Sequence, residues 1–409
     1  MKHHPFRDQW CDKSLWPVLR KLILKSETHV DFSEFDTTAM LALARHHRVV
    51  PLMYQKCDNE ELRAGLSTDY AKIENKQTRR WPVLQQVFNG MAEAGIPLVL
   101  LKGSLLSNTL FEHQLYKDMN DADVLVPAEY LDQARHFLTN AGFEAVVDVW
   151  GEEDDPTAFN LPMMMHVDTQ TVISVHFNLK SPATGVEPDI DRIWRDVKPV
   201  ESRSVNALRM TWEDTLLHIC IDLPMFKIGL REFIDLANII DQCDIDWQVF
   251  EQRVETWRAQ NGAYRLLSCL RFGLDMNIPD DMLRRIGRRT NLLVKWETDS
   301  RRHNWPLRRS TVVGDIERAY FVNAISDKAH QVSFWSLLKN SLFKPKNSIL
   351  IDCFGRAGVV ERALLPVMVF QAMALDYGWR KMIGWAGSTK KEPNHAEGEH
   401  WRAVLKGME

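Results

Sequence analysis

The residues with the clearest chemical potential lie between Gly95 and Pro127, in the segment GIPLVLLKGSLLSNTLFEHQLYKDMNDADVLVP. Lys102-Gly103-Ser104 combines a cation, a glycine that lets the backbone approach a ligand closely, and a hydroxyl. The first N–H groups of a helix following this turn would be unpaired and partly positive, which suits a phosphate. Asp121-Ala122-Asp123 opens a second apolar run, Val124-Leu125-Val126. On a strand, residues two apart share a face, so both carboxylates point the same way. A divalent cation relieves the resulting repulsion. Mg²⁺ (or Mn²⁺) typically takes one or two protein carboxylates and completes its shell with water and substrate phosphates. The plainer alternatives are a polar turn at Asn120-Asp121 and a solvated loop lysine at position 102.

Positioning these groups needs a strand over the apolar run Ile96 to Leu101, a helix from about Leu105 to Phe111, and a strand through Val124 to Val126. Downstream, Tyr130 to Ala141 has a helical pattern that Gly142 would stop, and Phe143 to Trp150 reads as a strand. An acidic loop (151–160) precedes a hairpin formed by Met163 to Val167, the turn Asp168-Thr169-Gln170-Thr171, and Val172 to Leu179. Strand, turn, helix, strand, helix, strand and hairpin outline a mixed α+β sheet.

A glycine-serine turn after one strand, then an Asp-x-Asp pair on the next, resembles the nucleotidyltransferase superfamily related to DNA polymerase beta. LLKGSLL, an aromatic pair, and Lys117 four residues before DADVLV resemble more closely the uncharacterised bacterial nucleotidyltransferase family. That similarity extends to ALARHHRVVPLMY (42–54), SVHFNL (174–179) and LREFIDLANIIDQCDIDW (230–247). The resemblance implies Mg²⁺-dependent transfer of a nucleoside monophosphate from a nucleoside triphosphate to a hydroxyl acceptor, whether small molecule, peptide or RNA. Asp121 and Asp123 would hold the metal, while Lys102, Gly103, Ser104 and Lys117 would meet the nucleotide. The family usually has Arg at the place of Lys117, so a bidentate fork is exchanged for a point charge. Its members also commonly have Asp or Glu two residues before the His of the last strand, where this chain has Ser174 ahead of His176. Three outcomes compete: His176 serves as base or ligand, Asp148 or Asp168 substitutes, or the site binds a nucleotide without transferring it. The last would make the protein a degenerate nucleotide-binding module acting through partners.

The remaining sequence supports this centre. From Ser14 to Met91 the pattern is helical, with Asp36 as a cap, one helix over Ala39 to Met53, and Pro51 and Pro82 punctuating helices or their first turns. His46 and His47, beside Arg45 and Arg48, would be phosphate contacts or a solvated helix end. Helices are expected over Trp212 to Asp222, Gly229 to Cys243 and Trp247 to Gln260, with Arg231 and Asp235 pairing one turn apart, or lining the cleft with Lys227. From Leu283 to Arg309, Arg284, Arg285, Arg288, Arg289, Arg301, Arg302, Arg308 and Arg309 interleave with Trp296 and Trp305. That stretch would track RNA, or be balanced by Asp280, Asp281, Glu297 and Asp299. Ala363 to Leu375 is apolar but too short to span a bilayer; a core or partner-facing helix and a membrane-surface helix are both compatible with it. The expected domains are an N-terminal helical cap (1–82), a nucleotidyltransferase core (83–200), a C-terminal helical region (201–385) and a mobile tail (386–409).

Composition sets the outer limits. The 409 residues are 45% hydrophobic and 26% charged, with a net charge of -4, so no bulk affinity for nucleic acid or anionic membrane follows. Cys11, Cys57, Cys220, Cys243, Cys269 and Cys353 lack the paired spacing of a zinc site. With no apolar leader at MKHHPFRDQW and no transmembrane segment, the expected location is cytoplasmic.

Overall fold

The computed structural model describes residues 21–22, 30–111, 117–146, 159–180, 186–202, 204–222, 230–290, 294–295 and 298–299. Helix α1 (Thr37–His46) starts where Asp36 accepts a hydrogen bond from the Ala39 N–H at 2.7 Å. The helix expected to continue to Met53 breaks instead: Arg48 takes a φ of 55°, and α2 (Val50–Lys56) begins with Pro51 in its first turn. Proline suits that position because its missing N–H would have had no helical partner.

Helix α3 (Glu60–Glu93) is capped by Asn59 and contains Pro82 in its interior, so Pro82 does not punctuate a helix. An interior proline forfeits one backbone hydrogen bond. Burial of Trp81, Leu84, Val87, Phe88 and Met91 around it offsets that loss. At 1.5 Å per residue the helix is roughly 50 Å long. Its first half buries Leu62 and Leu66 in one core, and its second half belongs to another.

The strands are β1 (Val99–Leu100), β2 (Asp121–Leu125), β3 (Phe143–Ala145), β4 (Met164–His166), β5 (Val172–His176), β6 (Lys198–Pro199) and β7 (Leu208–Arg209). They form one mixed sheet in the order β3-β4-β5-β2-β1-β7-β6. β2 runs antiparallel to β1 and parallel to β5, while β4 and β5 make the expected hairpin. Helices α4 (Lys102–Thr109) and α5 (Leu131–Asn140) follow β1 and β2, and α6 (Ile190–Asp196) precedes β6. Five helices complete the described chain: α7 (Trp212–Asp222), α8 (Leu230–Gln242), α9 (Trp247–Thr256), α10 (Gln260–Gly273) and α11 (Asp280–Arg289).

Strand alternation divides the apolar side chains between two cores. Leu100, Ala122, Val124, Ile173 and Val175 face the core shared with the second half of α3. Val99, Leu101 and Leu125 face the larger core built from α1, α2 and α7–α11. By the same two-residue period, Asp121 and Asp123 share a face with Leu125, and Ser174 shares it with His176. The carboxylate pair therefore looks toward the C-terminal helices.

Among the described residues no helix is long and apolar enough to cross a membrane. Of the basic stretch, Arg284 pairs with Asp281 one turn away, Arg285 with Glu251 at 2.6 Å, and Arg289 with Glu255. Arg301, Arg302, Arg308, Arg309, Trp296, Trp305 and the run Ala363 to Leu375 lie outside the described residues.

Candidate functional site

β1 delivers the chain to Lys102 at the centre of the sheet, and α4 starts there, three residues earlier than the sequence suggested. Lys102-Gly103-Ser104 is thus the first helical turn, whose N–H groups have no intrahelical acceptors. Lys102 sits at φ 44°, in the left-handed region that a side chain rarely adopts. Such strain persists only where surrounding contacts fix it. Here the Ser104 hydroxyl, itself fully buried, lies 2.6 Å from the Leu101 carbonyl and 2.8 Å from the Asp123 carbonyl. The Leu101 N–H donates to the same Asp123 carbonyl at 3.1 Å. Ser104 therefore ties the turn to β2 rather than presenting its hydroxyl to a ligand.

Gly103 leaves room for two neighbouring side chains, which would have to shift for any larger residue. A Cβ there would lie 2.9 Å from both Lys117 Cε and Met119 Sδ. Lys117 passes beside the turn but is buried, and its ammonium is paired with Asp235 on α8. Burial pushes the Lys117 ammonium down and the Asp235 carboxyl up, so desolvation outweighs the pairing at both ends. The remaining Asp235 oxygen, Oδ1, is buried without a partner. The expected Arg231 to Asp235 pair gives way to a different arrangement: Arg231 pairs with Glu232 at 2.7 Å and donates to the Asp118 carbonyl at 3.3 Å.

Asp123 is the hub. His176 Nε2 lies 2.9 Å from Asp123 Oδ1, and Lys102 Nζ lies 3.3 Å from Asp123 Oδ2. An ionised carboxylate only accepts, so the His176 proton faces Asp123 from Nε2. Nδ1 of the same ring is buried without a partner. Burial favours the neutral form of Asp123, but Lys102 and His176 outweigh it and hold the carboxyl well below its usual range. Asp121 is exposed at the start of β2. Ser174 stands beside Asp123 in the β2–β5 register and is buried, where a third acid had been expected. Asp168 is exposed in the β4–β5 turn, outside this cluster, and Asp148 lies outside the described residues.

Two residues that sequence reasoning missed complete the cluster, both from α7. Asp222 Oδ2 lies 2.8 Å from Lys102 Nζ, so one ammonium bridges two carboxylates. His218, one turn earlier on the same helix face, is 1% exposed, and both of its ring nitrogens lack a partner. Burial, with the Lys102 charge adding to it, pushes His218 down to about 3. Burial alone would depress the Lys102 ammonium; Asp123 and Asp222 outweigh it and hold the group protonated. The available signal was a His and an Asp four apart in an otherwise apolar helical run, LLHICID.

The turn leading into β2 is clamped by cations. Arg48 Nη2 lies 2.8 Å from Asp118 Oδ2 and 2.9 Å from Asn120 Oδ1, and Lys76 pairs with the other Asp118 oxygen. Gln77 donates to the Met119 carbonyl at 2.8 Å, and Arg80 to the Asn120 carbonyl at 3.3 Å. His47 is buried, its Nδ1 accepting from the Leu230 N–H, and Arg45 pairs with Asp69. This helix end is part junction and part solvated: His47 and Arg48 are packed in, while Arg45 and His46 are exposed.

Among the described residues no three His, Cys, Asp or Glu side chains converge into a ready-made metal cage. The donor set fits an open site instead. Asp121 and Asp123 are hard oxygen donors on one face, and a side-chain cation already stands between Asp123 and Asp222. No curated protein matches this chain. A family model described as uncharacterised nucleotidyltransferase matches residues 33–272, which spans the sheet, the Asp pair and α7–α10. With the strand-turn-helix and the Asp-x-Asp strand side by side in a mixed sheet, the chain belongs to the uncharacterised nucleotidyltransferase family.

Proposed function

We propose that the protein transfers a nucleoside monophosphate from a nucleoside triphosphate to a hydroxyl acceptor at the Lys102, Asp121 and Asp123 cluster, with Mg²⁺ or Mn²⁺ as cofactor. Family membership supports nucleotidyl transfer in general. The observation that carries the finer reading is the Asp pair on β2 set against the first turn of α4, whose Lys102 ammonium lies 3.3 Å from Asp123.

In this reading, Asp121 and Asp123 hold the metal, and the N–H groups of Lys102, Gly103 and Ser104 face the β- and γ-phosphates. The bound metal would neutralise phosphate charge and polarise the reacting phosphorus. Lys102 leaves Asp123 and follows the phosphates, which frees Asp123 Oδ2. His176 fixes Asp123 through Nε2 and acts as a positioning residue, as partners of metal-binding carboxylates commonly do. The acceptor oxygen forms a bond to the α-phosphorus, the bond to the bridging oxygen breaks, and pyrophosphate leaves with the electron pair. The acceptor proton passes to water.

A second reading, a nucleotide-binding module without transfer, draws on Ser174 in the buried position beside Asp123. The experiment is calorimetric titration of ATP, GTP, CTP and UTP with Mg²⁺ into the wild type and Asp121→Ala/Asp123→Ala. Metal-dependent binding that disappears in the double variant is the expected result. Binding that survives it removes the Asp pair from the site. Labelled nucleotide then separates transfer from binding alone.

A further inference from the structure

The unsettled corner of this site is the one a third acid would fill. Ser174 faces Asp123 across the β2–β5 ladder, and a hydroxyl brings no charge to that position. The charge arrives from a different direction. Helix α7 packs across the sheet face that carries Asp123, and its last residue, Asp222, points a carboxylate at Lys102. Lys102 Nζ sits 3.3 Å from Asp123 Oδ2 and 2.8 Å from Asp222 Oδ2, so two carboxylates more than ninety residues apart in sequence share one cation. The arrangement favours a cation there, since removing it would leave two largely buried carboxylates side by side and force one of them to take up a proton.

A second observation points to a ligand at the same place. His218 is 1% exposed, neither ring nitrogen has a hydrogen-bond partner, and it interacts electrostatically with Lys102, Asp222, His176 and Asp123. Buried polar side chains nearly always find partners, and leaving one unpaired costs about 1–3 kcal/mol. An imidazole left open beside two carboxylates is suited to accept a metal ion or a metal-bound water, as imidazole is a common metal ligand.

We infer that Asp222 is the third carboxylate of this site: with Asp123 it brackets a divalent-cation position that the Lys102 ammonium holds until nucleotide draws it away, and His218 lines that position. The inference rests on the nucleotidyl-transfer reading above and adds a helix-borne ligand to it. It also explains how Ser174 is tolerated, because the acid has been moved from the strand to the facing helix. Lys102 serves as an internal counterion that keeps Asp123 and Asp222 together before metal and nucleotide arrive.

The test uses the full chain and Mn²⁺ alone as probe, with bound Mn²⁺ read by electron paramagnetic resonance and folding checked by thermal melts. In the Lys102→Met background, where no ammonium fills the position, Asp222→Asn should weaken Mn²⁺ binding at least about ten-fold, the lower end of what even an outer-shell partner costs a metal site. Lys102→Met should tighten it, because the competing ammonium is gone. Asp121→Asn/Asp123→Asn separates the two ideas. If that pair variant binds Mn²⁺ like the wild type, the underlying site assignment fails. If the pair variant loses Mn²⁺ while Lys102→Met/Asp222→Asn binds it like Lys102→Met, the role of Asp222 is overturned and the site assignment stands. Should Lys102→Met/Asp222→Asn not fold, Asp222→Glu in the same background decides: Mn²⁺ binding altered from that of Lys102→Met supports the inference, and unaltered binding overturns it.

Discussion

Replacing Asp118 by Asn tests whether the turn before the Asp pair is held electrostatically. Its carboxylate is about 10% exposed and accepts from Arg48, 11% exposed, and from Lys76, 28% exposed. Burial favours the neutral acid, but Arg48 and Lys76 outweigh it and keep the carboxyl well below the usual range. Removing one member of a buried ion pair costs about 3–5 kcal/mol, because the partner charge is left uncompensated. Lys76 can partly rehydrate, which lowers the expectation to about 2–3 kcal/mol. For a protein of 409 residues that corresponds to a drop in Tm of about 2–4 °C. Because the folded-state pKa is depressed, the contribution is fully present above about pH 4 and is lost as pH falls through the folded value. The gap between wild type and Asp118→Asn should therefore be constant near neutrality and narrow only in acid. Thermal and denaturant melts across pH supply the measurement. A variant within about 0.5 kcal/mol of the wild type at pH 7 would refute the reasoning.

Two further substitutions probe how the surrounding helices set the site. Gly262 on α10 lets that helix approach α7: a Cβ there would meet the Cys220 carbonyl oxygen at 2.6 Å. Gly262→Ala should cost about 1–3 kcal/mol and, by displacing the α7 turn between His218 and Asp222, weaken Mn²⁺ binding as well. Unchanged melting would show that the two backbones can separate freely. For the Lys117 and Asp235 pair, Asp235→Leu alone strands a buried ammonium and should cost about 3 kcal/mol. Lys117→Met/Asp235→Leu together should recover most of that in a denaturant melt, because an apolar pair carries no desolvation penalty. If the double variant is as unstable as the single one, the pair contributes more than desolvation allows.

The sequence is most informative where a local rule decides the outcome. Asp36 caps α1 through its own side chain, the Asp168 to Thr171 turn joins a hairpin, and Asp121 and Asp123 take one face because strands alternate. It is misleading where packing outweighs local preference. Pro82 lies inside α3 because the flanking apolar residues are buried, and Lys102 enters the helix in a left-handed conformation held by buried contacts around it. Neither preference is visible without the neighbours. Asp222 and His218 were hidden for another reason: their partners are Lys102 and Asp123, and only the packing of α7 against the sheet brings them together. Arg284, Arg285 and Arg289 suggested a nucleic-acid surface by composition, yet each has an acidic partner, two of them on α9.

The clamp on residues 118–120 makes the site a poor candidate for transplantation. Arg48 belongs to the break between α1 and α2, Lys76, Gln77 and Arg80 to α3, and Arg231 to α8, and all five reach this one turn. A fragment cut to the sheet and its immediate helices would retain every signature residue of the nucleotide site. It would lose Arg48 and Arg231, two of the five side chains that grip the start of β2. The same wiring gives natural variation a remote handle: exchanges at the α1–α2 junction, far from any substrate in sequence, can retune the chain entering Asp121 without altering a ligand.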